Sequence, residues 1–257
     1  MVEIIRSIKF SIVYYIDKKR KMDVKVIPCN KKMLLQLKHK SRYLQKAAIR
    51  CVCCGASGSG KSHSLRTLIP MLHKALGGVH LFGPDEQPQY KMIAQWCKQK
   101  GIDFVPHERE ELEPNSVEEF VADNIPKIVI LDDCDLHDKS IQKCVYPFFT
   151  RTRASNCSVF LVYQSQSDIP KIIRNNSNMY VILRFDAPRL FDRALDLINV
   201  CTDNEGKNFI KQFLTKNPYS FLMYQSGECP FSSLLFTADG RRIIDPIQMK
   251  EIKLIEK

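Results

Sequence analysis

Two hydrophobic periods alternate along this chain. Short, nearly continuous apolar runs occupy residues 47–54, 79–82, 127–131, 158–163 and 179–185. Runs of that length bounded by Gly, Pro or Asp read as buried parallel strands. Between them, apolar residues recur three and four apart, the spacing of amphipathic helices. That spacing predicts helices over 31–46, 61–76, 89–100, 117–121, 138–150, 170–175, 188–200 and 205–214. Segment 23–28 reads as a further strand, 102–105 as a possible one, and acidic 108–113 as a loop. Residues 219–224 and 231–236 read as a terminal strand pair around a turn at Ser226-Gly227. Strand alternating with helix predicts an α/β fold, a mostly parallel, doubly wound central sheet flanked by helices with right-handed crossovers.

One loop in this pattern carries chemistry. Gly55-Ala56-Ser57-Gly58-Ser59-Gly60-Lys61-Ser62 fits the phosphate-loop pattern G-x-x-x-x-G-K-[ST] without a mismatch and lies between a predicted strand and a predicted helix. Glycines let the backbone curl until several N–H groups face one anion. The helix N-terminus adds partial positive charge. Lys61 suits the β- and γ-phosphates of ATP, and the Ser62 hydroxyl suits Mg²⁺. A plain Gly/Ser turn would not need Lys-Ser at its end with a strand and a helix on either side.

Such a loop needs an acid at a neighbouring strand end. Asp132 closes the apolar run 127–131 and suits the Mg²⁺ shell. Asp133 follows and suits the orientation and deprotonation of an attacking water, with Asp135 the weaker alternative for either role. Gln164 ends the next apolar run, where an amide can sense the γ-phosphate. Arg151 and Arg153 precede that run and are candidates for a guanidinium donated to a neighbouring subunit's nucleotide, with Arg174 and Arg184 behind them. His63 reads as a solvated helix residue.

Length and charge sharpen this picture. The 257 residues suit one α/β domain over 46–240, a basic N-terminal leader with a short strand and helix over 1–45, and a C-terminal tail over 241–257. Residues 1–50 hold 14 Lys/Arg against 3 Asp/Glu, and the rest of the chain is neutral, so the entire net charge of +11 precedes the phosphate loop. A block like that fits either a polyanion such as a nucleic-acid backbone or a solvated leader. No apolar run reaches the roughly 18 residues of a membrane span. The expectation is a soluble protein made in the cytosol. Ten cysteines in such a setting are expected to be reduced, and Cys51, Cys53 and Cys54 to pack on the strand before the loop rather than bind metal.

The order GASGSGKS, then KIVILDDCD, then FTRTRASNCSVFLVYQSQSDIPKIIRNNSNMYVILRF resembles the FtsK/HerA superfamily of P-loop ATPases, over residues 47–236. It is most similar to the genome-packaging ATPases of poxviruses, other large DNA viruses, virophages and polinton-like elements. The resemblance rests on Arg153-Ala154, Gln164, Ile169-Pro170 and Asn175-Asn176 in that order. It implies a RecA-like ATPase fold and a ring, hexamer or pentamer, that hydrolyses ATP with Mg²⁺ and moves double-stranded DNA into a capsid. It implies a capsid partner, no membrane, and a place inside the infected host cell, in cytoplasm or nucleus. It assigns Lys61 and Ser62 to phosphate and Mg²⁺, Asp132 to the metal, Asp133 to catalysis, Gln164 to sensing and Arg153 to action in trans. Asp133 departs from the Glu of many relatives. Competing readings are a small-molecule kinase, an ATPase that acts on protein, and a scaffold that no longer hydrolyses; the intact Lys61, Ser62, Asp132 and Asp133 oppose the last.

Overall fold

The computed structural model describes residues 3–6, 13–16, 48–72, 76–122, 125–152, 155–164, 168–198, 204–226, 233–238, 243–245 and 250–251. The strand expected at 23–28, the helix expected at 31–46, and Arg153-Ala154 lie outside them. Strands β1 (Glu3–Arg6) and β2 (Val13–Ile16) form a separate antiparallel pair.

A ten-stranded sheet organises the rest. Its parallel half runs β5 (Asp103–His107), β4 (Gly78–Phe82), β6 (Lys127–Asp132), β7 (Cys157–Tyr163), β3 (Arg50–Cys54), β8 (Met179–Ile182). An antiparallel meander continues it: β9 (Phe221–Gln225), β10 (Ser233–Phe236), β11 (Ile243–Asp245) and β12 (Lys250–Glu251). The expected strand pair is therefore β9 and β10. The last two strands, β11 and β12, lie in the expected tail and add to the same sheet. They are three and two residues long, too short to show a period of two. The edge strand β5 runs two residues past its expected end and contains Pro106, which an edge tolerates because one side of the strand needs no ladder donor.

Side chains of a strand point alternately to opposite faces, and the sheet accordingly has two cores. Cys51 and Cys53 pack with Val79, Leu81, Ile128 and Ile130 against helices α1 (Lys61–Leu72) and α2 (Pro88–Lys100). Val52 and Cys54 pack on the other face with Val129 and Leu131. That face is covered by α3 (Ser116–Val121), α4 (Lys139–Thr150), α5 (Lys171–Asn176), α6 (Pro188–Ile198) and α7 (Asn204–Lys216). Parallel strands buried on both faces explain the continuous apolar runs. Each fully buried Leu, Ile or Phe contributes about 1.5–3 kcal/mol.

Local signals set the helix limits. Pro88 opens α2, and Gly101 closes it with φ 65°, its N–H donating to Cys97 O and Lys98 O. Asp138 caps α4 by accepting from the Ser140 N–H. The segment expected as a loop at 108–113 contains one 3₁₀ turn, Arg109–Glu111. All seven described cysteines are free and buried. Burial pushes the thiols of Cys51 and Cys54 well up, and that of Cys53 to about 12. They are packing groups, as expected.

Candidate nucleotide site

Sheet order brings three separate stretches of sequence to one edge. β7 lies between β3 and β6, with Cys54 beside Tyr163 and Asp132 beside Val162. Neighbouring strands stand about 4.8 Å apart. The residues that follow these strands, Gly55, Gln164 and Asp133, therefore emerge in a row. They border a cleft of about 900 Å³ lined by Lys61, Ser62, Asp132, Asp133, Gln164 and Tyr219, among others.

The phosphate loop forms one wall. Gly58 and Gly60 have φ of 69° and 100°, in the region that favours glycine. A Cβ on Gly55 would fall 2.7 Å from Ser59 Oγ and 2.8 Å from Leu183 Cβ, so the loop's first residue must be Gly. The Ala56 N–H donates to Arg184 O at 2.9 Å, tying the loop to the chain that leaves β8. Lys61 Nζ donates to Gly55 O (3.0 Å) and Ala56 O (2.9 Å). The ammonium thus folds over the loop at the place where phosphate oxygens would be its stronger acceptors. Ser59 Oγ is buried in the same loop and has no hydrogen-bond partner among the described residues. Free N–H groups of the first turn of α1, the lysine and the Ser59 hydroxyl make a donor set that fits a polyphosphate.

Opposite stands the acidic wall. Asp132 is buried, at 6% exposure, and its Oδ2 accepts from the Tyr90 hydroxyl at 2.6 Å. Burial raises its pKa, while the Tyr90 bond and the Lys61 charge work against that rise. Ser62 Oγ donates to Gln87 Oε1 at 2.9 Å. A hydroxyl and a carboxylate in one cleft are hard oxygen donors of the kind Mg²⁺ takes, so Ser62 and Asp132 fit the ion. Asp133 differs in every respect. It is exposed, sits at φ 60°, and pairs with Arg109. That left-handed turn takes the chain sharply out of β6, and both carboxylates line the cleft.

The other expected residues divide. Gln164 is exposed in the cleft, and Asp135 also lines it. Arg151 pairs with Glu118 of α3, and Arg184 with Asp186 at 3.3 Å. Neither these two nor Arg174 lines the cleft of its own chain. His63 is a correction. It is half-buried, its ring stacks on Tyr219 at 5.5 Å, and its Nε2 lies 3.1 Å from Ala238 O, a partner 175 positions away. Nothing in the helical spacing around it could have announced that partner. Gln87, Tyr90, Arg109 and Tyr219 also went unread as site residues. Tyr90 stood in the apolar stripe of its helix, and its hydroxyl was the only signal.

Fold and cleft together define a P-loop NTPase. The sequence pattern of the poxvirus A32 protein family matches residues 36–189, and the chain belongs to that family. No curated protein sequence matches it significantly. Solved structures with a similar chain path include B204, the DNA-packaging ATPase from Sulfolobus turreted icosahedral virus. It has 16% identity and a TM-score of 0.48, over 80% of this chain and 97% of B204. B204 from Sulfolobus turreted icosahedral virus 2 with ATP-gammaS has 16% identity and a TM-score of 0.45, over 81% and 98%. EssC ATPases 2 and 3 from Geobacillus thermodenitrificans have 12% identity and a TM-score of 0.44, over 82% and 40%. No helix among the described residues is long and apolar enough to cross a membrane.

Proposed function

We propose that this chain is an ATP-hydrolysing motor that moves double-stranded DNA in viral genome packaging. The observation that carries the reading is the convergence of Lys61, Ser62, Asp132, Asp133 and Gln164 on one cleft. Membership of the poxvirus A32 protein family supports it.

In this reading the loop amides and Lys61 hold the β- and γ-phosphates. Ser62 and Asp132 hold Mg²⁺, which when bound neutralises charge building on the phosphate oxygens. Asp133 orients the attacking water and accepts its proton, and Gln164 contacts the γ-phosphate side. In the described conformation the charge of Asp133 is met by Arg109. No described arginine of the 151, 174 and 184 set lines its own cleft, which is compatible with a guanidinium supplied by a neighbouring subunit of a ring. Arg153 is the proposed donor. The excess of 11 positive charges in residues 1–50 is the proposed DNA contact.

Steady-state ATP hydrolysis with and without long double-stranded DNA, at low and moderate salt, tests this. Several-fold stimulation that fades as salt rises is expected. Hydrolysis indifferent to DNA at both salts would overturn the motor reading and favour an ATPase directed at protein or a small molecule.

A further inference from the structure

Tyr219 lines the cleft beside the phosphate loop, yet phosphate chemistry has no use for its ring. It occupies the turn between α7 and β9 with φ 60°, a conformation bulky residues rarely adopt. Its ring is 50% exposed and lines the mouth of the cleft. Strain and exposure together oppose a tyrosine here, unless the exposed part of its ring takes a further partner beyond the described residues.

The surroundings say what that partner is. A Cβ on Gly60 would fall 2.7 Å from Tyr219 Cδ1, so the ring rests against the last glycine of the phosphate loop. It also stacks on His63, with ring centroids 5.5 Å apart and planes 25° apart. His63 follows Ser62 in the first turn of α1, directly beyond the residues proposed to hold the phosphates. Ala238 O, which accepts from Thr67 Oγ1 at 3.2 Å and lies beside His63 Nε2, fixes the imidazole. The result is an aromatic pair next to the phosphate loop.

We propose that Tyr219, backed by His63, is the platform on which the purine base of the nucleotide stacks. This rests on the nucleotide-site reading and extends it from the phosphates to the base. Stacking reads the π-face rather than the base edge, so the platform confers affinity more than discrimination between purines.

The test is calorimetric titration of the full chain with Mg²⁺–ATP and with Mg²⁺–tripolyphosphate, which has no base. The informative variant is Tyr219→Gly, because Gly suits φ 60° and removes the ring without harm to the turn. ATP affinity is expected to fall roughly 5- to 150-fold, with tripolyphosphate affinity unchanged and thermal stability equal or higher. Tyr219→Phe should keep wild-type ATP affinity. Unaltered ATP affinity in Tyr219→Gly overturns the platform. Equal losses for ATP and tripolyphosphate overturn it too, because Tyr219 would then act by shaping Gly60. A wild-type chain that binds neither ligand would instead overturn the nucleotide site on which the proposal stands.

Discussion

The parallel and antiparallel halves of the sheet meet the same cleft in different ways. In the parallel half every strand points the same way, and each return passes through a crossover. Loops after β3, β6 and β7 therefore all emerge at one edge, and each brings a polar group to the cleft. The meander alternates direction. The start of β9 and the end of β10 reach that edge, as the pairing of Phe221 with Phe236 and of Leu222 with Ile182 fixes. Those two points are where Tyr219 and Ala238 stand. The polar groups of the cleft thus gather on the parallel half. The antiparallel half supplies an aromatic wall and a carbonyl that hold the side of α1. Parallel topology concentrates functional groups, whereas a meander spreads its ends and contributes single contacts.

A deletion in the parallel half should therefore remove chemistry without removing the fold. Lys61→Ala is expected to lower ATP turnover by at least about 10²–10³-fold, the range for one preorganised electrostatic group. The ammonium is partly exposed and bonds only to Gly55 O and Ala56 O within the described protein. The melting temperature without nucleotide should therefore stay near wild type. A variant that unfolds instead would mean the lysine is structural, and the contrast between halves would fail.

The opposite pattern is expected across the meander. Phe236 is 1% exposed and stacks on Phe221 with centroids 5.0 Å apart and planes 8° apart. Phe236→Ala should cost about 3–5 kcal/mol of stability, read by denaturant unfolding. Turnover per folded molecule should hold, because neither ring lines the cleft. Lost turnover in a fully folded sample would show that the meander takes part in catalysis.

The same contrast governs what the sequence made legible. The parallel half was readable because its chemistry is contiguous with its strands. GASGSGKS and LDD each follow an apolar run directly, and burial on both faces makes those runs continuous. Gln164 was readable for the same reason. Arg109 was not, since it lies in an acidic stretch and meets Asp133 only because β5 and β6 flank β4. β9 begins at Phe221, whereas the apolar pattern at 219–224 makes Tyr219 the first residue of a strand. Its meaning depends on a positive φ and on contacts with Gly60 and His63 that no local pattern records. The partner of His63 is a carbonyl just past β10, 175 positions away, which local spacing does not record. Side chains that converge from separate loops leave no spacing to find.

The smallest expected effect is the most specific, because it separates the two adjacent carboxylates. Burial raises the Asp132 pKa, and the hydrogen bond from Tyr90 opposes that rise. Tyr90→Phe keeps the ring in the core and removes only the hydroxyl, so the Asp132 pKa should climb further. Mg²⁺ requires the carboxylate, and binding is lost as pH falls through that pKa. The acid limb of Mg²⁺-dependent kcat/KM should therefore move to higher pH in the variant, with the rate on the alkaline side little changed. For the fold without metal the sign reverses. A carboxylate whose pKa is raised on folding contributes its stability below its unfolded pKa, and that contribution is lost as pH rises through the folded value. The variant should thus lose more stability between acid and neutral pH than wild type does. Asp133 is exposed and paired with Arg109, and the Tyr90 hydroxyl bonds to Asp132. An acid limb that stays put, or that moves to lower pH, would remove Asp132 from the metal site and leave Asp133 as the carboxylate to test there.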